Sequence, residues 1–219
     1  MEQRQETTDV AIVPVAGLEG GALADFVRIY EAIFPADERE VTEKLVAGIN
    51  RRRMRCVVAR RRDGVCGFAV LLSLGGRAAG IDYLVYLGVD PALQGTGIGS
   101  RLLRGCAEAG AGAGMVLEIE DPDAAGAANP QQRRRRASFY LRNGAAFVDG
   151  APRYRAPNFS GPGGPLRFRL MWVPGSVAEL TGDLLRACVE ALLVQGYRLS
   201  PGDELVRANL AALVSPARR

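Results

Sequence analysis

The segment YLVYLGVDPALQGTGIGSRLL, residues 83–103, constrains the fold more than any other stretch of this chain. A β-branched and aromatic run enters Gln94-Gly95-Thr96-Gly97-Ile98-Gly99 and passes directly into Ile98, Leu102, Leu103 and Cys106, spaced as one face of a helix. Glycines at 95, 97 and 99 let the backbone turn its amides inward, and a helix N-terminus directly behind adds about half a positive charge. Strand, glycine loop and helix together make a cradle for an anionic diphosphate. A dinucleotide fold needs GxGxxG, whereas Ser100 occupies the third glycine position, and the chain lacks both a βαβ repeat and a placed ribose-binding acid. A nucleotide P-loop needs Gly-Lys-Ser/Thr, and no lysine lies near. The remaining alternative is a tight strand-to-helix turn that binds nothing.

Around this segment the pattern is α/β. Val10–Val15 reads as a strand, and Leu23, Phe26, Val27, Tyr30, Ile33 and Phe34 give a helix that ends before Pro35. A second helix is expected from near Asp37, with Val41, Leu45, Val46 and Ile49 as its apolar stripe. Strands are expected at 55–60, 65–74 and 81–89, the first two joined by an Asp63-Gly64 hairpin turn. Another follows at 115–120, then a loop to Gln132, a helix over 133–142 stopped by Asn143-Gly144, and strands at 146–148 and 166–172. Past Pro174, Ser176 and Glu179 form a capping box before an amphipathic helix, and Ser200, Pro201 and Asp203 announce another. These readings divide the chain into a flexible N-terminus over 1–9, a main domain over 10–173 and a C-terminal helical extension over 174–219. The extension is expected to cover the main domain or a partner subunit in a homodimer.

Composition removes several chemistries. Histidine is absent, which excludes Ser-His and Cys-His nucleophilic machinery and every zinc site that uses imidazole. Cys56, Cys66, Cys106 and Cys188 are widely spaced among apolar neighbours, as expected of buried thiols rather than a metal cluster, so no metal is expected. The net charge of +4 equals the charge of the Arg133–Arg136 run, so the basic balance is local. Four arginines without interleaved aromatics make a poor surface for bases, and no nucleic-acid partner is expected. No apolar stretch approaches the roughly 18–20 residues of a membrane span, and the polar start lacks a secretory pattern; no membrane partner and a cytoplasmic location follow as expectations.

The glycine segment carries the Gln/Arg-x-x-Gly-x-Gly/Ala signature after a Val-Asp-Pro strand end, and it resembles the GNAT superfamily of N-acetyltransferases. A second match is Ala137–Phe147, similar to that family's helix ending in a tyrosine, an Asn-x-Gly turn and a strand. The order of elements over roughly 10–173 also agrees. The resemblance implies an α/β fold with a GNAT-like mixed, mostly antiparallel central sheet flanked by helices, and acetyl-CoA or another acyl-CoA as co-substrate. By position it places the diphosphate on Gln94, Gly95, Thr96, Gly97, Ile98, Gly99 and Ser100, and the pantetheine along Leu87, Gly88 and Val89. Tyr140 matches the family's general acid; a phenol near pKa 10 stays protonated at neutral pH and can give its proton to a departing thiolate. Arg133 stands where the family commonly has an asparagine, and the central strand has only Asp82 near its start where the family often has a glutamate base.

The base must therefore be sought elsewhere. Glu118 and Glu120, two apart on a strand, share one face, with Leu117 and Ile119 on the other. One could hold a cationic amine while the other takes its proton; the alternative is the solvent side of a half-covered sheet. Asp37 and Glu38 lie in the link that borders the acceptor pocket in GNAT proteins, and they are candidates for binding a cationic substrate. The reading is an acyl-CoA-dependent N-acetyltransferase acting directly on a primary amine of a small molecule, an amino acid derivative, an amine or a natural product. The alternatives are a protein lysine or N-terminal acetyltransferase and a non-catalytic acyl-CoA-binding module.

Overall fold

The computed structural model describes residues 10–34, 39–110, 112–124, 129–158 and 164–214. Its strands form a mixed, mostly antiparallel sheet flanked by helices, eight-stranded in the order β1-β2-β3-β4-β5-β8-β6, with β7 paired to β8. The chain forms two compact units, one of residues up to Leu72 with Leu84–Ala109, the other of Ser73–Tyr83 with Gly110 onward.

The first unit contains β1 (Ala11–Val15), α1 (Gly20–Ile33), α2 (Thr42–Asn50), β2 (Arg55–Arg61), most of β3 (Gly64–Ser73), the second part of β4 (Ile81–Val89) and α3 (Ile98–Glu108). Phe26, Ile29 and Tyr30 of α1, spaced by three and one, bury one stripe against Phe68 of β3, with the Phe26 and Phe68 rings 4.3 Å apart. The hairpin at Asp63-Gly64 forms with Arg62 and Asp63 at its tip: Gly64 pairs with Arg61 and has φ +131°, and the Val65 amide donates to the Asp25 carboxylate at 3.0 Å. Helix α3 lies so close to β1 that a side chain at Gly105 would meet Ile12 at 2.5 Å. The second helix starts at Thr42, five positions after the expected start near Asp37, and Asp37 itself is outside the described residues. Just before it, the Tyr30 hydroxyl donates to the Glu40 carbonyl and the Glu40 amide to the Tyr86 hydroxyl, each at 3.0 Å. These bonds hold Glu40 to aromatic side chains in the geometry of a link, ahead of the helix.

The second unit contains the start of β4, then β5 (Gly114–Glu120), α4 (Pro130–Arg142), β6 (Ala146–Phe147), β7 (Arg155–Ala156), β8 (Leu166–Pro174), α5 (Gly182–Ala191) and α6 (Glu204–Ala211). Ile81–Tyr83 of β4 pair in parallel with Gly114–Val116, and β5 pairs with β8 in antiparallel register over its whole length, Glu118 opposite Leu170 and Glu120 opposite Phe168. A Cβ at Gly114 would sit 2.2 Å from the Trp172 ring, so glycine is what lets the only tryptophan pack there. The capping box at Ser176 and Glu179 does not form; α5 begins at Gly182, behind Thr181. The amides of Gly175, Ser176 and Val177 donate to Ala113, Gly112 and Ala113 carbonyls, and the Trp172 indole donates to Val177 at 3.1 Å. The chain thus extends the β8 edge before it can wind. Both expected C-terminal helices are present, and α5 continues into a π-helical turn, Leu192–Gly196.

Candidate active site

In the first unit the glycine loop joins a 3-10 turn at Pro91–Leu93 to α3. The Asp90 carboxylate accepts from the Ala92 amide at 3.0 Å and from Arg28 at 2.7 Å, and the Arg28 bond in particular holds its pKa below the ordinary carboxylate range. The Thr96 hydroxyl donates to the Leu93 carbonyl at 2.7 Å. With its own side chains turned to its own backbone, the loop is fixed in shape. Gly95 and Gly97 have φ +81° and +89°, left-handed conformations that a side chain would strain, and a Cβ on either meets no protein atom within 4 Å. Gln94–Gly97 are exposed. The first amides of α3, on Ile98, Gly99 and Ser100, have no partner inside the helix by helix geometry, which leaves them to a ligand. The site fits an anionic diphosphate: rigid loop, open space over both glycines, donors at a helix N-terminus.

Leu87–Val89 close β4, beyond the residues that pair with β5. The hydrogen that replaces a side chain on Gly88 faces the core: a Cβ would meet Ile33 at 3.1 Å and Phe68 at 3.2 Å. Its smallness serves packing against α1 and β3.

In the second unit, Glu118 and Glu120 share a face of β5 but end in different company. Glu120 is held by two guanidiniums of α4, Arg133 at 2.7 Å and Arg136 at 3.4 Å. Two members of the arginine run are thereby tied to the sheet. Glu118 accepts from three phenols: Tyr83 of β4 at 2.5 Å and Tyr197 at 2.7 Å on Oε2, and Tyr154 on Oε1. Tyr83 and Tyr154 are buried, 7% and 2% exposed, whereas Glu118 and Tyr197 keep partial exposure. Burial raises the Glu118 pKa above the ordinary value, and the three phenol donors pull the other way. Burial and then the Glu118 charge push the Tyr83 and Tyr154 phenols well up, so both remain donors. The arrangement is a desolvated carboxylate held by three phenol donors.

Tyr140 lies on α4, buried, its ring edge-on to Phe139 with centroids 5.0 Å apart. The helix ends directly after it: Asn143 and Ala145 amides both return to the Tyr140 carbonyl, and Gly144 takes φ +88°. Asp82, at the start of β4, is buried and accepts from Ser73 at 2.8 Å. Asp37 and Glu38 lie outside the described residues. All four cysteines are buried thiols outside any disulfide, with burial raising the Cys56 pKa to about 12, and no metal-binding group of His, Cys, Asp or Glu occurs among the described residues. Among those residues no helix is long and apolar enough to cross a membrane.

Sequence reasoning located Glu118 and missed its partners. A glutamate between Leu117 and Ile119 on a covered strand must find donors, because a buried charge without hydrogen bonds is costly. That is a signal to look for them; their positions, 35, 36 and 79 residues away, are not readable from spacing.

Residues 52–144 match the family described as an acetyltransferase (GNAT) domain. No curated protein matches the chain. A GNAT-family acetyltransferase structure from Bacteroides thetaiotaomicron superposes with a TM-score of 0.65 at 20% identity, over 87% of this chain and 99% of that one. An aminoglycoside 6'-N-acetyltransferase complexed with coenzyme A gives 0.56 at 17% identity, covering 74% and 95%. The ribosomal-protein-S18-alanine N-acetyltransferase from Escherichia coli gives 0.51 at 17% identity, covering 80% and 97%. The fold and the matched segment define an acyltransferase. More particularly, residues 52–144 match a GNAT acetyltransferase domain, set within a GNAT-like fold.

Proposed function

We propose that this protein transfers an acetyl group from acetyl-CoA directly to a primary amine of a small molecule, with Glu118 as the general base. The observation that carries the reading is the Glu118 carboxylate, desolvated and hydrogen-bonded by three phenols. An amine must be neutral to attack a thioester, and a carboxylate of raised pKa both attracts the ammonium and takes its proton more readily than an ordinary surface acid. In this mechanism the nitrogen lone pair forms the new bond to the acyl carbon, the carbon–sulfur bond breaks, and Tyr140 gives its proton to the leaving thiolate. Gln94–Ser100 carry the diphosphate, and the Leu87–Val89 backbone pairs with the pantetheine amides. Glu120, neutralised by two arginines, orients α4 instead of taking the proton. Asp37 and Glu38 are offered as contacts to a cationic acceptor.

The test is thiol release from acetyl-CoA over a panel of amines, amino acids, antibiotics and peptides, with Glu118→Gln beside the native protein. Turnover of a small amine, lost or stripped of its alkaline rise in Glu118→Gln, is expected. Turnover confined to peptides overturns the acceptor class, and an unchanged pH profile in the variant overturns the base. A pure acyl-CoA binder would release no thiol with any member of the panel.

A further inference from the structure

The third phenol on Glu118 comes from beyond the segment that matches the family, and the backbone is irregular on both sides of it. Leu192–Gly196 is a π-helical turn closed by the Tyr197 amide on the Leu192 carbonyl at 3.1 Å, a wider loop that rotates the next residue out of the helical face. Gly196 lies against the Tyr83 ring, where a Cβ would be 3.2 Å away. Arg198 adopts φ +59°, a left-handed conformation unfavourable for a residue with a side chain. Strain retained around a single side chain, aimed at a buried carboxylate, marks a functional placement.

On the reading of Glu118 as the base, we infer that Tyr197 is a positioning residue of this site: its hydroxyl holds the Glu118 carboxylate in its charged form and links it to solvent. Tyr83 and Tyr154 bind the same carboxylate but are buried, and Tyr197 alone of the three is not. A proton that Glu118 has taken passes to the Tyr197 oxygen as the Tyr197 hydroxyl proton moves to water. The phenol is restored, Glu118 is an anion again and the proton is in water. The other titratable or charged groups around Glu118 are Cys188 of α5, whose thiol is pushed up by burial and then by the Glu118 charge, and Glu120, paired with Arg133 and Arg136 of α4.

The experiment is a carbon-13 NMR titration of the Glu118 carboxyl in the full chain, its signal assigned by loss in Glu118→Gln. It needs no acceptor. Tyr197→Phe keeps the ring and removes one donor to the anion, so the Glu118 midpoint should rise by about one pH unit. Replacing Tyr197 by 3-fluorotyrosine keeps the shape and strengthens the donor, so the midpoint should fall. Opposite movements support the assignment, because a packing role predicts none. A midpoint unmoved in both overturns it, even where Glu118→Gln abolishes turnover. If the midpoints move and Glu118→Gln keeps full turnover with its pH profile, the base reading fails and the control of Glu118 by Tyr197 stands.

Discussion

Tyr140 and Glu118 carry the proposed chemistry, and each makes a prediction of its own. Tyr140→Phe keeps a buried ring on α4 and removes only the hydroxyl, so acetyl-CoA affinity should persist while kcat falls by roughly 100-fold or more, the usual share of general-acid catalysis. Equal loss of binding and rate would mark Tyr140 as a packing residue instead. Glu118 bears on stability as well. Its folded-state pKa is raised, so the folded protein binds the proton more tightly than the unfolded chain does. Its contribution is fully present below the unfolded value near 4.5 and is lost as pH rises through the folded pKa. The stability difference between the native protein and Glu118→Gln should therefore shrink as pH increases across that window, as read by urea unfolding at a series of pH values. A difference that grows with pH would mean the three phenols outweigh desolvation. At this scale the sequence revealed the residue types and concealed their company: an i, i+2 pair of glutamates predicts a shared face, but not that one meets arginines and the other phenols.

At the level of elements, legibility tracked how local the determining interactions are. The glycine loop was readable because every requirement for it lies within 83–103: strand, left-handed glycines, helix start. The start of α5 was misread because Ser176 and Glu179 satisfy a local capping rule, while the Ser176 amide that Glu179 would cap is already bonded to Gly112, and its neighbours Gly175 and Val177 to Ala113. Strand β7 went unread for the same reason. It is only two residues long, and the Asn209 side chain of α6 completes it, accepting from the Arg155 amide at 2.9 Å and donating to the Arg155 carbonyl at 3.0 Å. The loop yields the element-scale prediction. Gly97→Val forces a β-branched residue into φ +89° and puts methyl groups into the open space over the amides. Acetyl-CoA should raise the melting temperature of the native protein by mass action on the folded state, and in the variant that increase should disappear. An undiminished thermal shift would remove the diphosphate from this loop.

Over the whole molecule, the question left by the sequence is whether residues after Pro174 form an appendage or part of a folding unit. They fall in the same compact unit as β5, β6 and β8. Leu185, Cys188, Val189, Leu192 and Leu193 are all 2% exposed or less, and the Leu185 side chain lies where a Cβ on Gly150 would meet it at 2.5 Å. Burying a large aliphatic side chain is worth roughly 1.5–3 kcal/mol, so several of them rival the roughly 5–15 kcal/mol by which a typical domain is stable. Deleting them would also uncover Tyr83 and strip Glu118 of one donor. A chain ended at Pro174 should therefore lose cooperative unfolding and near-ultraviolet circular dichroism, and aggregate through the uncovered apolar surface, although it retains the whole matched family segment. If instead the shortened chain melts at the native temperature and still shows an acetyl-CoA thermal shift, the C-terminal helices are dispensable covering. Then Tyr197 loses its claim on the site as well, unless the Glu118 carboxyl of that shortened protein titrates at a higher pH.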